Sequence, residues 1–311
     1  MHLTLQQLRL FEAVSRRRSF TRAAEELHLT QPAVSIQVKR LEEQVGLPLF
    51  EQVGKRLYPT VAGEAMYAAS VDVLSRISEL KDAVSDLQGT VGGPLRLSVV
   101  TTTKYFMPHL LGAFLARYPD VEPKLRFTNR ATILQRLQGN QDDFVVMGQI
   151  PEQLALQSYP FLDNVVVIVA PVGHRLAHRK GLVLSDIVQE RFLVREQGSG
   201  TRLVVDQRLA EHAIRIDPYM ELGSTEAIKQ GVMAGLGIAA LSLHSVALER
   251  RAGLIEILDV QGFPLTRPWF AVHPQGKRLS LVARTFLDFI LENSAGILED
   301  NTNLGVWGDS R

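Results

Sequence analysis

The sequence of 311 residues has no cysteine, so it can build no disulfide framework, no thiolate nucleophile and no Cys-ligated zinc or iron–sulfur centre. It has little net charge, +1 with histidines neutral, and so small a balance names no partner by itself. No uncharged apolar run approaches the roughly 20 residues of a spanning helix, and no charged leader followed by an apolar stretch opens the chain. The expectation is a cytoplasmic protein without membrane attachment. Also lacking are a G-x-S-x-G elbow, a Walker loop and an H-E-x-x-H pair.

What is present is the composition of a globular protein, 46% hydrophobic and 22% charged, with enough apolar mass for a sizeable core. At roughly 150 residues per domain the length favours two folded units. The distribution of charge says more than its total. Within residues 1–60 nine Lys or Arg face six Asp or Glu, whereas the remainder carries a slight acidic excess.

That basic front shows helical periodicity three times. Leu5, Leu8, Phe11, Ala13 and Val14 mark a first helix, and a second fits Thr21 to Leu27 with Thr21 as its N-cap. For the third, Thr30 is the N-cap, Pro32 lies in the first turn, Leu29 can staple onto Val34, and Val34, Val38, Leu41 and Val45 form the buried stripe. Gln31, Ser35 and Lys39 fall on a polar stripe. Two short helices joined by a tight turn, the second presenting such groups, are the parts of a helix-turn-helix whose second helix enters the major groove. Beyond it, Gly54, Lys55 and Arg56 tip a hairpin-like stretch suited to phosphate contact. Candidate DNA contacts are Arg22, Thr30, Gln31, Pro32, Ser35, Gln37, Lys39, Lys55 and Arg56.

The run Phe20, Thr21, Arg22, Ala23, Ala24, Leu27, then Thr30 to Ser35, then Leu41, Glu42, Gly46, Leu49 and Phe50 resembles the N-terminal signature of the LysR-type transcriptional regulators. The resemblance implies a winged helix-turn-helix, a linker helix that pairs two DNA-binding heads, and a two-lobed effector domain of the periplasmic-binding-protein kind. Glu51 and Ile36 depart from it, the first standing where many relatives carry Arg and the second where some do.

Val61 to Leu87 contains no Pro, and its one Gly is Gly63. A helix of that span runs on the order of 40 Å. Met66, Val73, Leu80 and Leu87 repeat every seven residues, with Ser70, Ile77 and Val84 interleaved, which is a two-stranded coiled-coil seam. Met66, Val73, Ile77, Leu80, Val84 and Leu87 are the candidate dimerisation residues, and Gly89, Gly92, Gly93 and Pro94 end the helix.

After Pro94 short strands alternate with helices, an α/β arrangement with mostly parallel sheets. Strands are expected at Leu95 to Val100, Lys124 to Thr128, Phe144 to Met147, Val165 to Ala170, Phe192 to Arg195, Tyr219 to Leu222, Ile238 to Leu241 and Trp269 to Val272. In such sheets ligands bind beyond the carboxyl ends of strands. The loops there are polar and several open helices, whose free N–H groups suit an anion. Candidate effector residues are Thr101, Thr102, Thr103, Asn129, Arg130, Gln149, Arg195, Gly198, Ser199, Gly200, Thr201, Arg202 and Thr225.

Residues 101–108 with Thr128, Asn129 and Arg130 look like those of the regulators of Calvin-cycle and rubisco operons of the CbbR kind. That resemblance implies a phosphorylated effector such as ribulose bisphosphate or phosphoglycolate, or NADPH, and control of carbon-fixation genes by an activator that is a homodimer or homotetramer. A relative serving another operon with a carboxylate effector is the alternative within the family. A two-lobed binding protein or enzyme that does not bind DNA is the alternative outside it. The expected domains are 1–60 (DNA-binding), 61–90 (dimerisation helix), 91–296 (effector domain) and a flexible tail at 297–311. Lobe I of the effector domain takes 91–162 and 268–296, and lobe II takes 163–267.

Enzyme motifs are weak. Gly235, Gly237 and Ala240 fit a dinucleotide fingerprint, but a helix precedes them and a strand follows, the reverse of what pyrophosphate binding requires. His174 and His178 have no evident third ligand. The expectation is no enzyme, no metal and no cofactor.

Overall fold

The structure, a computed structural model, describes residues 3–54, 56–87 and 89–301, with side chains described except at 78, 79, 81–83, 85–87 and 299–301. Contacts divide the chain into two units, residues 1–89 and 90–311. Among the described residues no helix is long and apolar enough to cross a membrane.

The first unit is built from α1 (Leu5–Arg17), α2 (Phe20–Glu26), α3 (Gln31–Val45), the hairpin β1 (Phe50–Val53) and β2 (Arg56–Pro59), and α4 (Val61–Leu87). Thr4 and Gln7 close a capping box on α1. The N-cap of α2 is Ser19 rather than Thr21, its hydroxyl accepting from the Arg22 amide at 3.3 Å. Thr30 caps α3 as expected and Gly46 ends it with φ +78°. Val34, Val38 and Leu41 are buried, packing with Leu10, Val14 and Phe11. Leu29 remains exposed and forms no staple; Leu27 joins that core instead.

The start of α4 crosses the lead into the wing so closely that a Cβ at Gly63 would lie 2.0 Å from the Leu49 carbonyl oxygen. Only glycine fits there. Met66 and Tyr67 pack on Phe11, Leu41 and Leu49, and Ser70 is buried with its hydroxyl on the Met66 carbonyl at 2.7 Å. The proximal seam residues therefore serve their own head. Farther along, Val73, Leu80 and Val84 are 41%, 64% and 52% exposed. Leu87 has its side chain outside the described residues.

The second unit continues with β3 (Gly93–Val100), a 3-10 turn (Thr101–Tyr105), α5 (Met107–Arg117), β4 (Val121–Thr128), α6 (Arg130–Gln138), β5 (Phe144–Met147) and β6 (Leu156–Pro171). Then come α7 (Leu184–Ile187), β7 (Phe192–Arg195), α8 (Gly200–Glu211), β8 (Pro218–Leu222), α9 (Thr225–Met233), β9 (Ile238–Ser242), α10 (Leu243–Arg251), β10 (Ile255–Leu258), β11 (Leu265–Pro274) and α11 (Leu281–Asn301). The strand order is β4-β3-β5-β11-β6-β9-β7-β8, with β10 beside β6.

The expectation of mostly parallel sheets holds for the two ends only. Pairs β3/β4, β3/β5, β7/β8 and β7/β9 are parallel, whereas β5/β11, β11/β6, β6/β9 and β6/β10 are antiparallel. Strands β6 and β11 run through the middle of both lobes, with Asp163 facing Pro268 and a bulge between Trp269 and Phe270. On one side of that pair lies a core from α5, α11 and the β3 region, centred on Phe106, Phe114 and Phe286. On the other lie two cores, one built on Phe192, Val205 and Leu209 and one on Ile228, Val232 and Val246.

The expected tail at 297–311 is corrected in its first part. α11 continues to Asn301, because Leu298 is buried and Ile297 packs on the lobe I core; residues 302–311 lie outside the described residues.

Candidate functional site

The first unit presents one face of α3. Counting about 100° per residue, Pro32, Ile36, Lys39 and Glu43 lie opposite the buried stripe, and all four are exposed. Ile36, at 54% exposure, is the apolar residue at the centre of that face. Gln31 is exposed and Ser35 half-buried on one flank, while Gln37 is half-buried on the other. Of the polar stripe read from the sequence, Lys39 thus lies on the outward face, and Gln31 and Ser35 lie at its edge.

Of the basic cluster before α2, Arg16 is taken by Glu12 at 2.8 Å, and Arg16 and Arg17 both bind Glu26 at 2.5 Å. Arg22, Lys39, Arg40 and Arg56 are exposed without an acidic partner among the described residues. Glu42, on α3, accepts from the amides of Leu49 at 2.8 Å and Phe50 at 3.2 Å, which ties the wing to the helix. Thr30 is exposed at the N-cap; Lys55 lies outside the described residues.

In the second unit a cleft opens between the lobes. It receives the ends of β3 (Thr101, Thr102), β4 (Asn129), β5 (Gly148, Gln149) and β7 (Gly198 to Thr201), together with Asn164 and Trp269 from the two shared strands. Two helices point their N-termini at it. Asn129 caps α6 through its side chain, at 2.9 Å from the Thr132 amide. Ser199 caps α8 without using its hydroxyl, and Gly200 leaves open space where a side chain would stand.

Three buried polar atoms on the lining residues have no partner among the described residues: Arg130 Nε, Asn164 Oδ1 and Trp269 Nε1. Buried groups of this kind ordinarily find hydrogen bonds, so three of them on residues of one cleft suit it to a polar molecule.

The arginines divide by function. Arg195 is 6% exposed; its Nε and Nη2 hold both oxygens of Glu196 at 2.7 and 2.8 Å, and Nη1 donates to Thr225 at 2.8 Å. Partial burial would raise the Glu196 carboxyl, but the Arg195 hydrogen bonds outweigh it and hold it below the usual carboxylate range. Arg202 binds the Arg195 carbonyl at 2.9 Å and Glu221 at 2.5 Å and does not line the cleft. Thr225 stands behind Arg195, and Thr103 turns its hydroxyl to the Val100 carbonyl. The lining cations without an acidic partner among the described residues are Arg130 and Arg267. Sequence reasoning missed Arg267, Asn164, Trp269 and Glu196. Arg267 and Trp269 flank the point where the lobes were divided, the one signal that could have pointed to them.

A winged helix-turn-helix head and a two-lobed unit with an anion-suited cleft define a DNA-binding regulator that senses a small molecule. Residues 5–64 match the bacterial regulatory helix-turn-helix model of the lysR family, and residues 88–295 match the LysR substrate binding domain. The chain belongs to the LysR family of transcriptional regulators, and it is a regulator rather than an enzyme.

It is 45% identical to a RuBisCO operon transcriptional regulator of Acidithiobacillus ferrooxidans, over 94% of this chain and 95% of that one. It is 44% identical to the transcriptional activator CmpR of Synechocystis, over 94% and 97%. Among solved structures it resembles the Synechocystis CcmR regulatory domain in complex with 2-PG, at 41% identity and a TM-score of 0.63, over 65% of this chain and 97% of that one. A full-length OxyR variant from Pseudomonas aeruginosa shares the fold, with a TM-score of 0.71 at 22% identity and 94% of each chain covered.

The Gly235, Gly237 and Ala240 pattern has a structural origin. Gly235 ends α9 with φ +75°, and a Cβ at Gly237 would lie 2.1 Å from the Arg191 carbonyl oxygen. Both glycines are fixed by backbone geometry.

Proposed function

We propose that the chain controls carbon-fixation genes in response to a small phosphorylated acid of the phosphoglycolate kind, bound in the cleft between the lobes. The observation that carries this is the cleft itself: the unpartnered Arg130 Nε and Trp269 Nε1, the cations Arg130 and Arg267, and the open N-terminus of α8. Three arginines against one glutamate give the lining an excess of two positive charges. Such an excess, with backbone donors, suits a compact dianion. Relatives named for the RuBisCO operon, and a regulatory domain solved with 2-PG, support the same reading.

On DNA, Lys39, Arg22 and Arg56 contact phosphates, Gln31 and Ser35 reach base edges, and Ile36 packs on a thymine methyl, the apolar feature of the major groove. The distal seam of α4 joins two chains in a dimer, and the regulator works in the cytoplasm.

Calorimetric titration of the full-length protein tests the effector assignment. Binding of 2-phosphoglycolate with glycolate and inorganic phosphate each much weaker supports it. Equal, weak binding of all three contradicts it.

A further inference from the structure

We propose that Tyr105, Glu226 and Lys229 form a latch between the two lobes, and that the latch stabilises the lobe arrangement enclosing the cleft. The strength of this latch then sets how tightly the cleft holds its anion. This rests on the assignment of the cleft as the effector site.

Tyr105 ends the 3-10 turn that follows β3 in lobe I, whereas Glu226 and Lys229 lie on the first turns of α9 in lobe II. The Tyr105 hydroxyl donates to Glu226 Oε1 across 121 positions of sequence. Lys104 Nζ stands 3.1 Å from the same oxygen, and Lys229 Nζ stands 3.1 Å from Glu226 Oε2 and 2.7 Å from Glu249 Oε1 on α10. Lys229 is 4% exposed, and its ammonium lies 4.9 Å from the centroid of the Tyr105 ring. Two cations thus meet two carboxylates, and the aromatic face of Tyr105 shields the buried ammonium. A buried lysine is retained only where it is paired in this way.

Both halves of the latch connect to the cleft by short covalent paths. Thr101 and Thr102, which line it, belong to the same turn as Tyr105. Thr225, adjacent to Glu226, receives the hydrogen bond of Arg195, another lining residue. A ligand that draws the two lobes together therefore acts on the elements that the latch already joins. Beside it, Phe106 of lobe I and His244 of lobe II bring their rings to 5.3 Å, and His244 Nε2 is 3.1 Å from the Asp163 carbonyl. Packing thus keeps the lobes adjacent when the polar latch is weakened. A ligand favouring the enclosed arrangement binds in proportion to how much of that arrangement is populated beforehand.

The test uses full-length Tyr105→Phe, which keeps the ring over both lysines, with Glu226→Gln as a second variant of nearly unchanged volume. Two readouts are taken: amide hydrogen exchange over residues 101–106 and 224–229 without ligand, and calorimetric affinity for 2-phosphoglycolate. The expected result is faster exchange confined to those two segments, unchanged exchange in the rest of the protein, and affinity weaker by about five- to tenfold. Unchanged exchange in both segments overturns the latch, and so does equal or tighter affinity in a protein that binds 2-phosphoglycolate. If the wild type fails to bind that ligand, the effector assignment fails separately, and the exchange result alone decides whether the latch exists.

Discussion

Arg130 opens α6 and Arg195 ends β7, both on the cleft, yet they carry different duties. Arg195 is fully engaged by Glu196 and Thr225, so it shapes the loop, while Arg130 keeps a buried Nε without a partner. Arg130→Gln should therefore abolish anion binding with little loss of stability, and Arg195→Gln should lower stability by about 1–3 kcal/mol, because it removes a buried group that holds the Glu196 carboxylate and the Thr225 hydroxyl. Denaturant titrations read alongside ligand titrations separate the two.

Glu226 has its own signature. Partial burial would raise its pKa, but hydrogen bonds from Tyr105, Lys229 and Lys104 outweigh this and bring it from the ordinary 4.5 to about 2. A carboxylate depressed in the folded state contributes stability that is complete above 4.5 and is lost as pH falls towards 2. The melting-temperature difference between wild type and Glu226→Gln should accordingly be largest at neutral pH and shrink across that interval. A difference independent of pH would show that the carboxylate's charge adds nothing.

At the scale of elements, α4 has two halves with different partners. Its first turns pack on α1 and the wing lead, fixed by Gly63, and its distal turns expose Val73, Leu80 and Val84. Gly63→Ala should destabilise the head by at least about 1–3 kcal/mol through overpacking against the Leu49 carbonyl. Leu80→Lys should leave the head folded and convert a dimer to monomer, as sedimentation velocity would read, because like charges would face each other across the seam. An unchanged sedimentation coefficient would place the dimer contact elsewhere.

The same scale explains what was legible beforehand. Helix α3 announced itself through its Thr30 cap, and strands β5 and β7 through continuous apolar runs such as Phe144 to Met147. Strands β6 and β11 were cut short because their shared central stretch carries the polar residues Asp163, Asn164, Thr266 and Arg267, of which Asn164 and Arg267 line the cleft instead of a core. β10 escaped because it has four residues and follows the turn at Gly253. The cleft loops were legible as polar helix starts, whereas the neutralisation of Arg195 and Arg202 was not, since Glu221 reaches Arg202 only through the fold.

For the whole molecule, the two units must exchange information, because a regulator of this family reads DNA with one and a metabolite with the other. The energy available is the ligand's differential affinity for two arrangements, typically about 1–3 kcal/mol. The most direct measurement is footprinting and polarisation of the full-length protein on a rubisco promoter fragment from its own genome, with and without 2-phosphoglycolate, for wild type and Arg130→Gln. The ligand is expected to change the affinity of the wild type by roughly 5- to 150-fold, or to shift its protected bases equivalently, while Arg130→Gln binds the same fragment and does not respond. A ligand response retained in Arg130→Gln, or a wild type indifferent to the ligand on DNA it binds, would contradict it.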